Sequence, residues 1–165
     1  SATPEDLKAQ FDFLISLRDK LSETHDAILD LRRVRSDLDD LRARAKDVDG
    51  ADKLIERCKA LAKTLTDIEE ALYQTKNRSN QDPLNFPIRL NNELSALAGV
   101  VGTGSFRPTD QAEAVREEVT KEIDEQLEKY RNAISVDLPA IEAMAQDVRV
   151  PALRPRKSAG ETSGR

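Results

Sequence analysis

Few side chains in this sequence could do chemistry, and their spacing narrows them further. His25 is the only histidine and Cys58 the only cysteine. A carboxylate-bridged metal pair inside a helical bundle needs Glu-x-x-His repeats, and Ser22 stands where the glutamate would have to be. Zinc held by Cys and His fails on the same scarcity. A reactive thiol needs exposure and a lowered pKa, whereas Cys58 falls on an apolar helical seam, the usual place of a small buried hydrophobe. His25 falls on the seam of the first helix, where a half-buried imidazole is tolerated. Gly99, Gly102 and Gly104 lack the order of a dinucleotide fingerprint, and no Gly-Lys-Ser/Thr follows them. They are expected to loosen a helix end. No metal and no cofactor is expected.

The charged residues point to solvated faces. Arg32, Arg33, Arg35, Arg42, Arg44 and Lys46 alternate with Asp30, Asp37, Asp39, Asp40 and Asp47. Arg33–Asp37, Arg35–Asp39 and Asp40–Arg44 stand four apart, as ion pairs along one helix do. Glu117, Glu118, Glu122 and Glu125 crowd a later helix, where paired acids could hydrolyse a sugar only inside a cleft. Asn77-Arg78-Ser79 fits a glycosylation sequon.

These residues are carried by long amphipathic helices. Thr3-Pro4-Glu5-Asp6 is a strong helix start, with a cap, a first-turn proline and two acids at the positive end of the dipole. From Leu7, Phe11, Leu14, Leu17 and Leu21 to Leu38, Leu41, Ala45 and Val48, apolar residues recur in threes and fours. The pattern predicts one helix of about 43 residues, roughly 60 Å long, ended by Asp49-Gly50. A second helix follows the heptad Leu54, Cys58, Leu61, Leu65, Ile68, Leu72. After a polar, turn-rich stretch, Pro87 is expected to open a third helix bearing Leu90, Leu94, Leu97 and Val101. Thr109 caps a fourth, with its seam from Ala112, Val115, Val119, Ile123 and Leu127 through Ile134 to Val148. Pro139 predicts a kink or restart near Asp137.

The fold class is therefore all-α, an elongated antiparallel bundle of three long legs with the middle one broken. A four-helix up-down bundle is the competing topology. Residues 1–148 read as the bundle and 149–165 as a flexible basic tail. That tail holds five Lys and Arg against one Glu, so the body is more acidic than the net charge of -5 suggests. An acidic body argues against nucleic acid as partner. Tryptophan is absent and only six residues are Phe or Tyr. No apolar run approaches the length of a membrane span, and no signal-peptide core stands out. The abrupt start at Ser1-Ala2-Thr3-Pro4 is expected of a processed product or of a fragment of something larger.

The least generic stretch runs from Leu72 to Val101 and includes Asp82-Pro83-Leu84-Asn85-Phe86-Pro87-Ile88 and Leu90-Asn91-Asn92. With Arg107-Pro108-Thr109-Asp110-Gln111 and Asp137-Leu138-Pro139-Ala140, it resembles the C-terminal region of large bacterial proteins that carry sortilin-like, bacterial-neuraminidase-repeat (BNR) β-propellers and are often described as glycosyl-hydrolase-like. The specific part covers under half of the chain. In that family the blades carry an Asp box with a Trp, which this chain lacks, so the resemblance implies no catalytic residue here. It implies a non-catalytic helical module following an upstream β-propeller, exported with it to the periplasm or beyond. Asp82, Pro83, Leu84, Asn85, Phe86, Pro87, Asn91 and Asn92 are the candidate interaction or structural loop. Pro83 and Pro87 stiffen it, while Leu84 and Phe86 need apolar cover, from the bundle's own end or from a partner. The alternative is a free-standing coiled-coil scaffold that associates with copies of itself through its heptads.

Overall fold

A computed structural model describes residues 2–73 and 89–152 of the chain. The described residues are helical throughout the core and contain no strand. In order they form α1 (Pro4–Ala45), α2 (Asp52–Leu72), α3 (Leu90–Gly102), α4 (Asp110–Asn132), a π-helical turn (Ala133–Asp137) and α5 (Leu138–Asp147).

Local chemistry accounts for the starts of α1 and α4 and for the end of α5, whereas α2 and α3 begin without a side-chain cap. Thr3 Oγ1 accepts from the Asp6 N–H at 3.2 Å while the Asp6 carboxylate accepts from the Thr3 N–H at 3.1 Å, a reciprocal cap. Thr109 Oγ1 accepts from the Ala112 N–H at 3.1 Å and starts α4. The first helix ends at Ala45, a few residues before the expected Asp49-Gly50, and the chain turns through Gly50 at φ 78. At the far end Arg149 takes φ 57 and Val150 donates its N–H back to the Ala145 carbonyl. Arg149 also donates to the Gln146 carbonyl, completing a Schellman ending, and Val150 packs on the core. The packing thus continues slightly past residue 148.

Pro139 acts as expected, but without breaking the leg. The Leu138 N–H donates to the Ala133 carbonyl, a turn one residue wider than an α-turn. Pro139 has no N–H to give, and its ring crowds the preceding turn, so the widened turn relieves both problems. The extra residue shifts the register. Ala133 is buried where Ile134 was expected, Val136 is 64% exposed, and Ile141 returns to the core.

Hydrogen bonds between helices establish three legs. Arg35 reaches Thr66 and Arg32 reaches Glu69, so α2 runs antiparallel to α1. Gln10 reaches the carbonyls of Val101 and Gly104, so α3 continues the same descending leg along α1. Ser16–Arg116, Lys20–Asp124, Glu23–Arg131 and Arg44–Pro151 run in step, so α4 and α5 form one leg parallel to α1. Arg57 on α2 also meets Asp137 at the π-helical turn. The second and third helices lie end to end, not side by side, which excludes the four-helix arrangement among the described residues.

The core follows the α2 heptad closely: Leu54, Cys58, Leu61, Leu65, Ile68 and Leu72 are all buried. On α1 the buried set is Gln10, Phe13, Leu17, Thr24, Ile28, Leu31, Leu38 and Ala45. Much of it repeats every seventh residue, the spacing that coils helices around one another. This corrects the expected seam in its N-terminal half. Leu7 and Phe11 are 45% and 63% exposed, and His25 is exposed while its neighbour Thr24 is fully buried. The α1 stripe is wider than one neighbour can cover, and the position of α3 and α4 selects the Gln10–Thr24 side. Thr24 satisfies its hydroxyl by donating to the Lys20 carbonyl at 2.7 Å, which lets it sit in the core. Val115 is likewise 43% exposed instead of seated in the α4 seam.

Candidate functional site

The most organised polar cluster among the described residues surrounds Glu69, which the sequence reading passed over. Glu69 lies on α2 beside Ile68, only 3% exposed. A carboxylate there would be costly alone, so both oxygens are paired. Arg32 Nε stands 2.6 Å from Oε1 and Arg35 Nη1 2.8 Å from Oε2. Arg35 also donates to Thr66 Oγ1 at 3.1 Å, and Thr66 donates to the Ala62 carbonyl. The Arg32 guanidinium lies 5.9 Å from the centre of the Tyr73 ring, at the end of α2. Around it opens a groove of about 310 Å³ lined by His25, Ile28, Leu29, Arg32 and Tyr73.

These arginines belong to the run that the sequence assigned to ion pairs along α1, and the pairing differs from that expectation. Arg33 meets Asp30 and Arg42 meets Asp39, each three apart. Arg35 turns instead to Glu69, and Arg44 donates to the carbonyls of Pro151 and Ala152. For Arg35, crossing to α2 offers an acceptor less exposed to water than the neighbouring aspartates, whereas Arg44 ties α1 to the exposed segment that follows α5.

Two other grooves border α1. One of about 710 Å³ between α1 and α4 contains Ser16, Lys20, Arg116, Asp124 and Arg131. Its charges are largely matched: Lys20 contacts Glu23 and Asp124, and Arg116 contacts Glu113. Burial pulls the Lys20 ammonium down, but hydrogen bonds to Asp124 and Glu23 outweigh it and hold the pKa above the ordinary lysine value. A groove of about 650 Å³ between α1 and α5 has an apolar floor of Val34, Leu38, Leu41 and Ile141.

Of the expected loop residues, Asp82, Pro83, Leu84, Asn85, Phe86 and Pro87 lie outside the described residues, as does the sequon at 77–79. The two that are described sit in the first turn of α3. Asn91 is 5% exposed, its Oδ1 has no partner among the described residues, and its backbone carbonyl accepts from Ser95 Oγ. Asn92 is half-buried and donates its N–H to the Arg89 carbonyl.

Cys58 is fully buried, and burial pushes its thiol above the ordinary cysteine value, the reverse of activation. Glu117, Glu118, Glu122 and Glu125 are all exposed on α4. The Gly99–Gly104 stretch closes α3 at Gly102, and the Phe106 ring lies against Gly104. Among the described residues no group of three or more His, Cys, Asp or Glu side chains is placed to hold a metal ion. No described helix is long and apolar enough to cross a membrane.

Comparison with known proteins finds no match to this chain in any family model, curated protein or solved structure.

Gln10, Thr24 and Glu69 are the buried polar groups that sequence reasoning missed. Gln10 and Thr24 did carry a signal, because each stands seven residues from Leu17. Glu69 carried none, since its partners lie far away along the chain.

Proposed function

We propose that this chain is a non-catalytic helical module that packs against another domain, and that the domain is an upstream β-propeller of the BNR type. The observation that carries the packing role is the distribution of apolar surface. Along the legs, the stripes of α1, α2 and α4–α5 largely cover one another, with Leu29, Tyr73 and Val136 as isolated exceptions. Where α1 begins and α3 gives way to α4, large apolar side chains stay open to solvent. Leu7, Phe11, Val100, Phe106 and Val115 are between 40% and 65% exposed there. The Gln10 bonds to Val101 and Gly104 bring these segments to one end of the rod. Several exposed large apolar residues at one end suit an interdomain contact better than a free surface. The propeller itself rests on the resemblance of the 72–101 stretch and of the two shorter segments after it.

The coding sequence that precedes Ser1 tests this reading directly. An open reading frame encoding Asp-box propeller blades is expected, and any other neighbouring domain overturns the assignment. Incubation of the chain with a panel of glycosides is expected to give no turnover, and specific hydrolysis would overturn the non-catalytic role. Self-association is the second reading, motivated by the seven-residue repeats of α1 and α2. Those repeats already face other helices of the same chain, which favours a monomer in sedimentation.

A further inference from the structure

We propose that the groove of His25, Ile28, Leu29, Arg32 and Tyr73 binds the C-terminal end of a peptide whose last side chain is aliphatic. The site lies about four turns of α1 from the exposed end and goes beyond the packing role.

The anion-binding group is Arg32. Its Nε is committed to Glu69, but its two Nη groups have no partner among the described residues, and its side chain is 44% exposed. Glu69 spends its second oxygen on Arg35. Two guanidinium charges therefore face one buried carboxylate, so the Arg32–Glu69–Arg35 cluster itself carries one positive charge, and Arg32 presents it at the groove. The free edge of a guanidinium matches a carboxylate in two parallel hydrogen bonds. A dianion such as a phosphate monoester is disfavoured, because Glu69 stands directly behind the only cation offered.

The remaining walls are apolar. Leu29 is 57% exposed and Tyr73 37%, and side chains of this apolar and aromatic kind are what line small-ligand grooves. They offer a branched aliphatic side chain a surface on which to lose contact with water. His25 stands two turns before Arg32 on α1 and is exposed, so its ring nitrogen can accept the N–H of the terminal peptide group. At about 310 Å³ the groove holds one or two residues, not an extended chain.

The test uses N-acetyl-leucine as the probe, followed by NMR chemical-shift mapping on the full chain. Saturable shifts confined to His25, Leu29, Arg32 and Tyr73 are expected, with a Kd in the millimolar range. N-acetyl-leucinamide should bind at least tenfold more weakly, and 4-methylpentanoate, which lacks the amide, several-fold more weakly. No saturable shift, shifts centred elsewhere, or equal binding of the amide would overturn the site. Equal binding of 4-methylpentanoate would overturn the peptide as its ligand. Arg32→Met should abolish binding. Because that change also touches Glu69, Leu29→Asn, on an exposed position, serves as the second variant: an unaltered melting curve with at least fivefold weaker binding is expected, and unchanged affinity would sink the proposal.

Discussion

The second and third helices occupy the same descending leg along α1, yet they are held there by different means. Every seam position of α2, from Leu54 to Leu72, is buried, and Glu69 adds ion pairs to two arginines of α1. The third helix has only 13 residues, and Leu90, Leu94 and Val101 are its buried apolar contacts. Its C-terminal end is instead tied by Gln10 of α1, whose amide donates to the carbonyls of Val101 and Gly104, both at 2.6 Å. A helix this short is marginal by itself, so it depends on a neighbour to satisfy its last carbonyls. One half of the leg is secured by a repeated apolar seam, the other by a borrowed polar side chain.

The largest expected effect separates the two halves. Leu65→Ala removes a fully buried side chain of α2 and should cost about 2–5 kcal/mol, a loss in melting temperature on the order of 10 °C. Leu94→Ala on α3 removes an equally buried leucine, but the helix can open locally, so its melting temperature should fall less. Equal losses would mean that the leg unfolds as one unit.

Next comes Gln10→Ala, which strips two hydrogen bonds from the end of α3 at a local cost of about 1–3 kcal/mol. Hydrogen exchange should quicken at residues 98–104 and stay unchanged across α2. Faster exchange in both helices would erase the distinction.

On the α2 side, Glu69→Gln weakens both ion pairs. The exposure of Arg32 and Arg35, 44% and 29%, limits the loss to about 1–2 kcal/mol in urea unfolding. A gain in stability would show that the cluster serves register or binding at the expense of stability.

The smallest effect concerns Cys58. Its thiol is pushed up by burial, so the folded value lies above the unfolded one. That contribution is fully present below the unfolded value and is lost as pH rises through the folded one. Stability should begin to decline on the alkaline side of about pH 8.5, the ordinary thiol value. In Cys58→Ala the onset should move up to about pH 10, where Tyr130, also pushed up by burial, begins to contribute. Labelling by a thiol reagent should be slow in the native protein. Rapid labelling at neutral pH would show that the α2 seam opens readily.

The contrast also explains what could be read in advance. The α2 seam was legible residue by residue, because six apolar positions in strict alternation of fours and threes leave one possible buried face. The Thr3 and Thr109 caps were legible for a related reason: each bonds to the backbone three residues on. Pro139 announced a disturbance, although the wide turn that resolves it follows from how α4 and α5 must both face α2. The candidate groove was not legible, since Tyr73 reads as a helix end and Arg32 as one more surface charge. Their meeting depends on a contact across 37 residues between Arg32 and Glu69.

The sequence by itself determined the helices, most of their limits and the all-α class, because periodicity, caps and proline act within a few residues. Tertiary structure decided which flank of a wide apolar stripe is buried. It put Thr24 inside and left His25 out, seated Gln10 against α3, and left Leu7 and Phe11 exposed. Those choices turn on the angle at which a neighbouring helix lies against α1, and a one-dimensional pattern leaves that angle open.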